Sequence, residues 1–337
     1  MNNKFFPSNF LFIMIMIVGT LLSLSSSHWL TMWMGLELNL MGFLPLMNIK
    51  GKTMEAEASM KYYIIQSMSS SVLIMSSVIM YTFNLSWYSM FSNNVISIMI
   101  ILSLTLKLGG APLHFWLPSI TKQMSWIILF LVLTWQKFAP MFMLSLMNSN
   151  MIIIIMISIT STIMGSIMAL NQTNIQLIMT YSSISHLGWM LSMISMNSSL
   201  TMIYFINYIM ISIPLMMSFN SSLGNQMFML TQKTKMNKMI IISLILSLGG
   251  LPPLLGFMSK LIILILLIEM KMMIMTLMLF MGTLISLYFY LNMSLMMMVS
   301  SYTMFENLNS NKLFNPIISF NMMSSFIIYP LIILLIK

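Results

Sequence analysis

Long apolar runs separated by short polar breaks dominate the chain. Most runs reach the roughly 20 residues that a helix needs to cross a bilayer. They lack the alternation in segments of about 10 residues that is typical of a transmembrane β-barrel. We therefore predict about eleven transmembrane helices, at residues 10–24, 28–47, 61–83, 95–119, 125–147, 151–170, 175–196, 200–219, 239–268, 272–299 and 317–336.

The composition indicates an all-α polytopic membrane protein. Of 337 residues, 59% are hydrophobic and 6% are charged, whereas soluble domains carry about 25% charged residues. Cysteine is absent, which excludes disulfides, thiolate zinc sites and cysteine-held iron–sulfur clusters. The chain also lacks the glycine-rich motifs that hold dinucleotides or ATP phosphates.

Methionine occurs 48 times, largely where other apolar residues would serve equally well. We interpret this as the coding bias of an AT-rich organellar genome, with a Met-rich binding surface as the alternative. The start, MNNKFFPSNF, has no arginine and runs directly into an apolar segment, so we expect no transit peptide.

The lysines predict an orientation for the eleven spans. Nine extramembrane lysines fall on the side of the N-terminus and two, Lys271 and Lys337, fall on the other. The positive-inside rule then places the N-terminus in the matrix or cytoplasm. Because these lysines are scattered over short loops, we assign the net charge of +9 to topology and anionic lipid and expect no nucleic-acid partner. We interpret residues 50–61, KGKTMEAEASMK, as an interfacial helix start.

Two segments repeat one pattern. Residues 106–112 read LKLGGAP and residues 246–252 read LSLGGLP, with five of seven positions identical. Gly-Gly and Pro interrupt helices, so each segment predicts a broken helix whose freed backbone groups line a polar cavity. The breaks fall in the fourth and ninth spans, which is the inverted-repeat arrangement of transporters. The alternative is two accidental kinks.

We accordingly expect one membrane domain over residues 1–337. Its N-terminal spans occupy residues 1–94, and the two halves of the inverted repeat occupy about 95–230 and about 239–337.

Four ionisable residues lie inside predicted spans: Glu37, Lys107, Lys137 and Lys260. A charge near the bilayer centre costs about 2.5–3.5 kcal/mol on insertion scales, so each must face protein or water. Burial disfavours the ammonium form of a lysine and a nearby carboxylate favours it, so a moving carboxylate can drive proton uptake or release. We hypothesise that Glu37 modulates Lys107, which exchanges a proton with Lys137 and then Lys260.

Other roles stay open for these residues. Glu37 and Lys107 could form a static ion pair, and the Lys260 side chain could extend to the membrane surface. His186 is a secondary relay candidate, although it could equally bond a backbone carbonyl. His114, next to the first break, is another candidate that could simply orient the break.

Five strings, WMGLELN, LKLGGAPLHFW, TWQKFAP, YSSISHLGW and GGLPPLLGF, occur in this order along the chain. Together they resemble the antiporter-like membrane subunits of respiratory complex I. The resemblance implies a proton channel built from two inverted five-helix units, with functional residues at Glu37, Lys107, Lys137 and Lys260. It implies a multi-pass protein of the mitochondrial inner membrane, with its N-terminus in the matrix and its C-terminus in the intermembrane space.

The same resemblance implies that this chain binds no cofactor itself. NADH, FMN, iron–sulfur clusters and ubiquinone are expected in other subunits of an NADH:ubiquinone oxidoreductase. The expected partners are the other membrane subunits and phospholipids, including cardiolipin.

Two other functions are compatible with the residues. The chain could belong to a cation/proton antiporter outside complex I, because such proteins share broken helices and buried lysines. It could also be a structural membrane subunit without transport. Residues 300–316 match no motif, and we predict that Glu306 lies in a solvated loop.

Overall fold

A computed structural model describes residues 7–49, 51–84, 89–147, 151–194, 197–220, 235–252 and 254–303. Regular structure within these ranges is α-helical. The helices are α1 Pro7–Ser25, α2 Trp29–Met47, α3 Thr53–Asn84, α4 Ser89–Leu108, α5 Trp116–Thr121, α6 Trp126–Leu133, α7 Trp135–Ser145, α8 Met151–Leu170, α9 Ile175–Ile194, α10 Ser198–Asn220, α11 Lys235–Gly249, α12 Leu255–Glu269 and α13 Met273–Thr303.

Within the described ranges, six helical segments are long and apolar enough to cross a membrane. They are Trp29–Met47, Thr53–Thr82, Trp126–Ser145, Met151–Leu170, Ser198–Asn220 and Met273–Val299. The predicted all-helical membrane architecture is confirmed. The total of eleven stays a prediction, because the segment 317–336 and Glu306 lie outside the described residues.

Large apolar side chains cover much of the exposed surface of these helices. On α2 the exposed residues include Leu30, Met34, Leu38 and Met41. Soluble monomers rarely expose contiguous apolar surface of this kind. The distribution suits helices that face lipid on one side and protein on the other.

Helix α9, unlike α2, exposes almost none of its surface. Ile175–Ile194 is buried along nearly its whole length, although it carries His186 and several serines. Polar side chains on a buried helix can bond to protein instead of lipid. Its sequence is therefore less apolar than that of a lipid-facing span of the same length.

The chain forms two compact units, Met1–Ile157 and Ser158–Lys337. In the first unit, α1 and α2 pack together, α3 lies against α2 and α4, and α7 contacts α4 and α1. Glycines allow α1 and α2 to touch along their backbones: a Cβ atom on Gly35 would lie 2.6 Å from the Ser23 nitrogen, and one on Gly42 would lie 2.7 Å from the Met16 nitrogen. Small residues at such contacts are typical of membrane helix pairs.

In the second unit, α11 packs against α13, and α10 contacts α9, α11 and α12. Helix α13 also contacts α9 and α12. These contacts bring α9, α10 and α13 to the break between α11 and α12. The boundary between the units differs from the predicted boundary between repeat halves, which stays a prediction.

Helix α3 begins at Thr53 and continues without interruption to Asn84. The segment that we interpreted as an interfacial helix start is therefore the first turns of a long helix. Its Lys61 ammonium bonds the Glu57 carboxylate one turn earlier.

Helix α4 ends in a Schellman motif. Gly109 adopts a left-handed conformation with φ +72°. The Gly109 N–H donates to the Leu106 carbonyl at 3.2 Å, and the Gly110 N–H donates to the Thr105 carbonyl at 3.0 Å. Glycine is the usual residue at this position because a left-handed residue with a Cβ atom is strained. The predicted break of the fourth span is confirmed.

The second break, after α11, uses the same motif. Here the left-handed residue is Gly250, with φ +82°. Its N–H donates to the Ser247 carbonyl at 3.1 Å, and the Leu251 N–H donates to the Leu246 carbonyl at 3.3 Å. The motif is thus shifted by one residue, since it uses the first glycine of LKLGGAP and the second glycine of LSLGGLP. Helix α11 consequently ends one residue later within the repeated segment than α4 does.

Only the second glycine of LSLGGLP adopts a positive φ, so the two glycines offer a matched pair of variants. Gly250→Ala should destabilise the protein by about 1–2 kcal/mol, the usual cost of a left-handed residue with a Cβ atom. That atom would also lie 3.1 Å from the Lys260 side chain. Gly249→Ala should be close to neutral, because Gly249 does not need a positive φ and its nearest neighbour, the Tyr290 ring, would be 3.4 Å away.

The midpoint temperatures of thermal unfolding of the two variants, each solubilised in folded form from its membrane, measure this difference in stability. Equal losses of stability in both would contradict a turn at Gly250.

Candidate functional site

Lys260 fills the gap left by the second break. Its ammonium donates to the carbonyls of Leu248 at 3.3 Å and Gly249 at 3.0 Å. These carbonyls lie at the C-terminal end of α11, where the helix offers them no main-chain donor. The negative end of the helix dipole also favours a cation there. Lys260 is therefore held inside the break.

Lys107 precedes the first break and is held more loosely. Its ammonium donates to the Gln66 carbonyl of α3 at 3.5 Å, and the Gln66 side-chain amide donates back to the Lys107 carbonyl at 3.5 Å. Both distances are at the long limit for a hydrogen bond. Across the break, the Trp116 indole N–H donates to the Leu106 carbonyl at 3.1 Å.

Glu37 acts on Lys107 from a distance. The carboxylate on α2 interacts electrostatically with the Lys107 ammonium. In the described structure the two side chains form no direct ion pair. The Coulomb interaction falls as the inverse of distance, so the Lys107 ammonium responds to the position of Glu37 without being locked to it.

Lys137 lies beside a third irregularity, in the fifth predicted span. Helices α6 and α7 are separated by Thr134, with φ −119° and ψ −75°. Pro140 lacks an N–H and therefore leaves the Gln136 carbonyl without its helical donor. At the start of α7, the Lys137 N–H donates to the Thr134 carbonyl, three residues earlier, at 3.0 Å.

A pair of amides joins α7 to α2 beside Lys137. The Asn39 side chain donates to Gln136 at 2.9 Å, and Gln136 donates back at 3.1 Å. Reciprocal amide bonds of this kind fix both side chains. They tie the helix of Glu37 to the helix of Lys137 within the first unit.

The three lysines share deep burial. The exposed fractions of Lys107, Lys137 and Lys260 are 7%, 2% and 7%. Of the four predicted relay residues, Glu37, Lys107 and Lys137 lie in the first unit and Lys260 lies in the second.

The two histidines occupy different settings. His114 lies between α4 and α5, where its ring stacks on Phe115 with centroids 4.5 Å apart and contacts the Pro112 backbone. His186, on α9, pairs its Nδ1 with the Tyr204 hydroxyl at 2.8 Å. We did not consider this hydroxyl as a partner of His186 from the sequence.

Several residues of the site were missed by the sequence analysis. Gln66 and Gln136 are neutral amides in apolar runs, and a mid-span amide is the signal that would have revealed them. Tyr204 gave no signal, since aromatic residues are ordinary in membrane helices. Lys238 is one of the nine lysines that we predicted to be extramembrane on the side of the N-terminus, whereas it lies in α11 and is buried.

No group of three or more His, Cys, Asp or Glu residues that could hold a metal ion occurs within the ranges described above. The polar groups of the first unit are two lysines, a carboxylate and amides, and those of the second unit are a lysine, an imidazole and hydroxyls. Such groups can bind and transfer protons.

The sequence matches a family model over residues 26–286. The family is described as NADH:quinone oxidoreductase/Mrp antiporter, transmembrane. The NADH-ubiquinone oxidoreductase chain 2 of Anopheles gambiae is 39% identical, over 94% of this chain and 95% of the relative. The protein of the same name from Locusta migratoria is also 39% identical, over 89% of this chain and 87% of the relative.

Solved structures share the fold at lower identity. A chain of respiratory complex I from Thermus thermophilus matches with a TM-score of 0.82 and 18% identity, over 97% of this chain and 78% of that one. A chain of the Mrp complex from Dietzia sp. matches with a TM-score of 0.74 and 13% identity, over 87% and 59% respectively. The family model and the chain 2 relatives show that this chain belongs to the NADH:quinone oxidoreductase/Mrp antiporter family and, within it, to the NADH-ubiquinone oxidoreductase chain 2 proteins.

Proposed function

We propose that this chain is a membrane subunit of a proton-translocating NADH:ubiquinone oxidoreductase and carries part of a proton path. The observation that carries the proposal is the burial of Lys107, Lys137 and Lys260 inside apolar helices, each at or beside a helix interruption. Intramembrane charges are costly, so their default interpretation is functional. The chain 2 relatives support the choice of complex.

Glu37 supplies the control in this mechanism. When its carboxylate moves toward Lys107, it stabilises the ammonium and favours proton uptake. When it moves away, the buried ammonium loses that support and releases its proton. Lysine suits this role because its proton affinity responds to burial, whereas arginine stays charged.

The backbone interruptions supply the path in which these charges operate. Broken helices with freed backbone groups are typical of transport sites at the bilayer midplane. We propose that the α4–α5 and α11–α12 breaks are counterparts in two inverted halves. The repeated LKLGGAP and LSLGGLP segments and their shared Schellman motif support this.

Electron transfer belongs to other subunits in this proposal. NADH, FMN, iron–sulfur clusters and ubiquinone would bind there, and coupling would reach this chain through its contacts with neighbouring membrane subunits. We place the protein in the mitochondrial inner membrane, with its N-terminus in the matrix and its C-terminus in the intermembrane space. The lysine bias and the animal relatives support that placement.

An antiporter outside complex I is the second candidate. The family description includes Mrp antiporters, and the Dietzia Mrp chain shares the fold. Fold alone does not separate the two functions. Their assemblies differ, however, and a native gel distinguishes them.

We predict that native electrophoresis of mildly solubilised source membranes will place this chain in a very large band that oxidises NADH. Mass spectrometry of excised bands measures where the chain migrates. A chain that runs alone, or in a small complex without NADH oxidation, would favour the antiporter and direct attention to sodium or potassium exchange.

A second prediction concerns Lys137. Lys137→Met should leave assembly intact but sharply lower the number of protons translocated per NADH, because methionine fills the buried site without binding a proton. Proton uptake and NADH oxidation are measured together in sealed vesicles. Lys122→Met is the matched control, since Lys122 is exposed. Normal proton stoichiometry in Lys137→Met would remove Lys137 from the path.

A further inference from the structure

Four aromatic side chains meet inside the second unit. His186 lies on α9, Tyr204 and Tyr208 lie one turn apart on α10, and Tyr290 lies on α13. Their exposed fractions are 5%, 3%, 2% and 2%. The cluster therefore consists of one imidazole and three hydroxyls from three helices, and it is closed to its surroundings.

His186 makes the closest polar contact of the cluster. Its Nδ1 is 2.8 Å from the Tyr204 hydroxyl. The His186 ring also packs beside the Tyr208 ring, with centroids 5.2 Å apart. Helix α10 presents both tyrosines to His186 because residues four apart share a face.

Tyr290 links the cluster to the second break. Its hydroxyl lies near enough to the hydroxyls of Tyr204 and Tyr208 to interact with them electrostatically. The Tyr208 and Tyr290 hydroxyls are buried and form no hydrogen bond with the described residues. Its ring lies against Gly249, where a Cβ atom would be 3.4 Å from the Tyr290 Cδ2. The Gly249 carbonyl in turn accepts the Lys260 ammonium at 3.0 Å.

Packing alone does not account for three tyrosines at this place. Phenylalanine would fill nearly the same volume without a hydroxyl. Burying a hydroxyl costs about 1–3 kcal/mol unless a hydrogen bond compensates for the lost water. A tyrosine hydroxyl both donates and accepts, so it can pass a proton on while remaining neutral.

We propose that Tyr204 is a proton-transfer residue that acts with His186, and that Tyr208 and Tyr290 position this pair beside the break that holds Lys260. In this step the Tyr204 hydroxyl gives its proton to His186 Nδ1, and the Tyr204 oxygen accepts in exchange a proton that leaves the Lys260 ammonium, which becomes a neutral amine until the path protonates it again. His186 then releases the proton on its Nε2. One proton crosses the imidazole, and both side chains end neutral.

This inference rests on the proposed function, because it adds His186 and Tyr204 to the proposed proton path beside Lys260. It also explains why His186 has a hydroxyl partner. A neutral backbone carbonyl could orient the ring but could not supply a proton.

The test uses the whole complex carrying single substitutions in this chain, with protons per NADH measured in sealed vesicles. Tyr204→Phe should assemble and oxidise NADH but lose proton translocation to the same extent as Lys260→Met. Tyr204→His should retain part of the translocation, because imidazole restores a group that carries protons. Tyr288→Phe is the control, since Tyr288 lies on α13 two residues from Tyr290 and is 60% exposed.

Two results would overturn the inference while leaving the proposed function in place. In the first, Tyr204→Phe translocates protons as well as Tyr288→Phe, whereas Lys260→Met does not. In the second, Tyr204→His translocates no better than Lys260→Met. The His variant carries the test by itself if Tyr204→Phe does not assemble. Normal translocation in both Lys260→Met and Tyr204→Phe would instead remove the proposed role of Lys260.

Discussion

The carbonyls at the ends of α4 and α11 impose the main constraint on this protein. Inside a membrane no bulk water is available to satisfy a helix end, so each freed backbone group needs a partner from the protein. The Lys260 ammonium meets this need at the second break, with bonds of 3.0 and 3.3 Å. The same carbonyls reduce the cost of burying a lysine, because they solvate its ammonium. A broken helix and a buried cation thus stabilise each other.

The two breaks hold their lysines with different strength. Lys107 has long bonds of 3.5 Å to Gln66 and an electrostatic interaction with Glu37. Lys260 has two shorter bonds to the end of α11. The proposed role of Lys107 is consistent with these weak local bonds, because a proton carrier that responds to a moving carboxylate must not be fixed by other partners. The difference follows from where each lysine lies, because Lys107 precedes its break and bonds α3, whereas Lys260 follows its break and bonds the end of α11.

The sequence predicted the features that depend on residue types in one stretch of chain. Gly-Gly with proline identified both breaks, and lysine in apolar runs identified the buried charges. It could not predict which glycine of each pair would turn, since both glycines can adopt a positive φ. The partners of the charges also escaped it: Gln66 reaches Lys107 from α3, and Tyr204 reaches His186 from α10. Those pairings depend on how helices pack against one another, which an apolar pattern leaves undetermined.

The central claim is that the buried lysines release and bind protons and do more than cap broken helices. Lys260→Arg separates these roles, because a guanidinium can donate to the Leu248 and Gly249 carbonyls but stays charged at all accessible pH values. The measurement is the number of protons translocated per NADH by the assembled complex in sealed vesicles. The account predicts normal assembly and NADH oxidation with a large loss of translocation. Undiminished translocation in Lys260→Arg would show that a fixed charge is sufficient and would contradict the account.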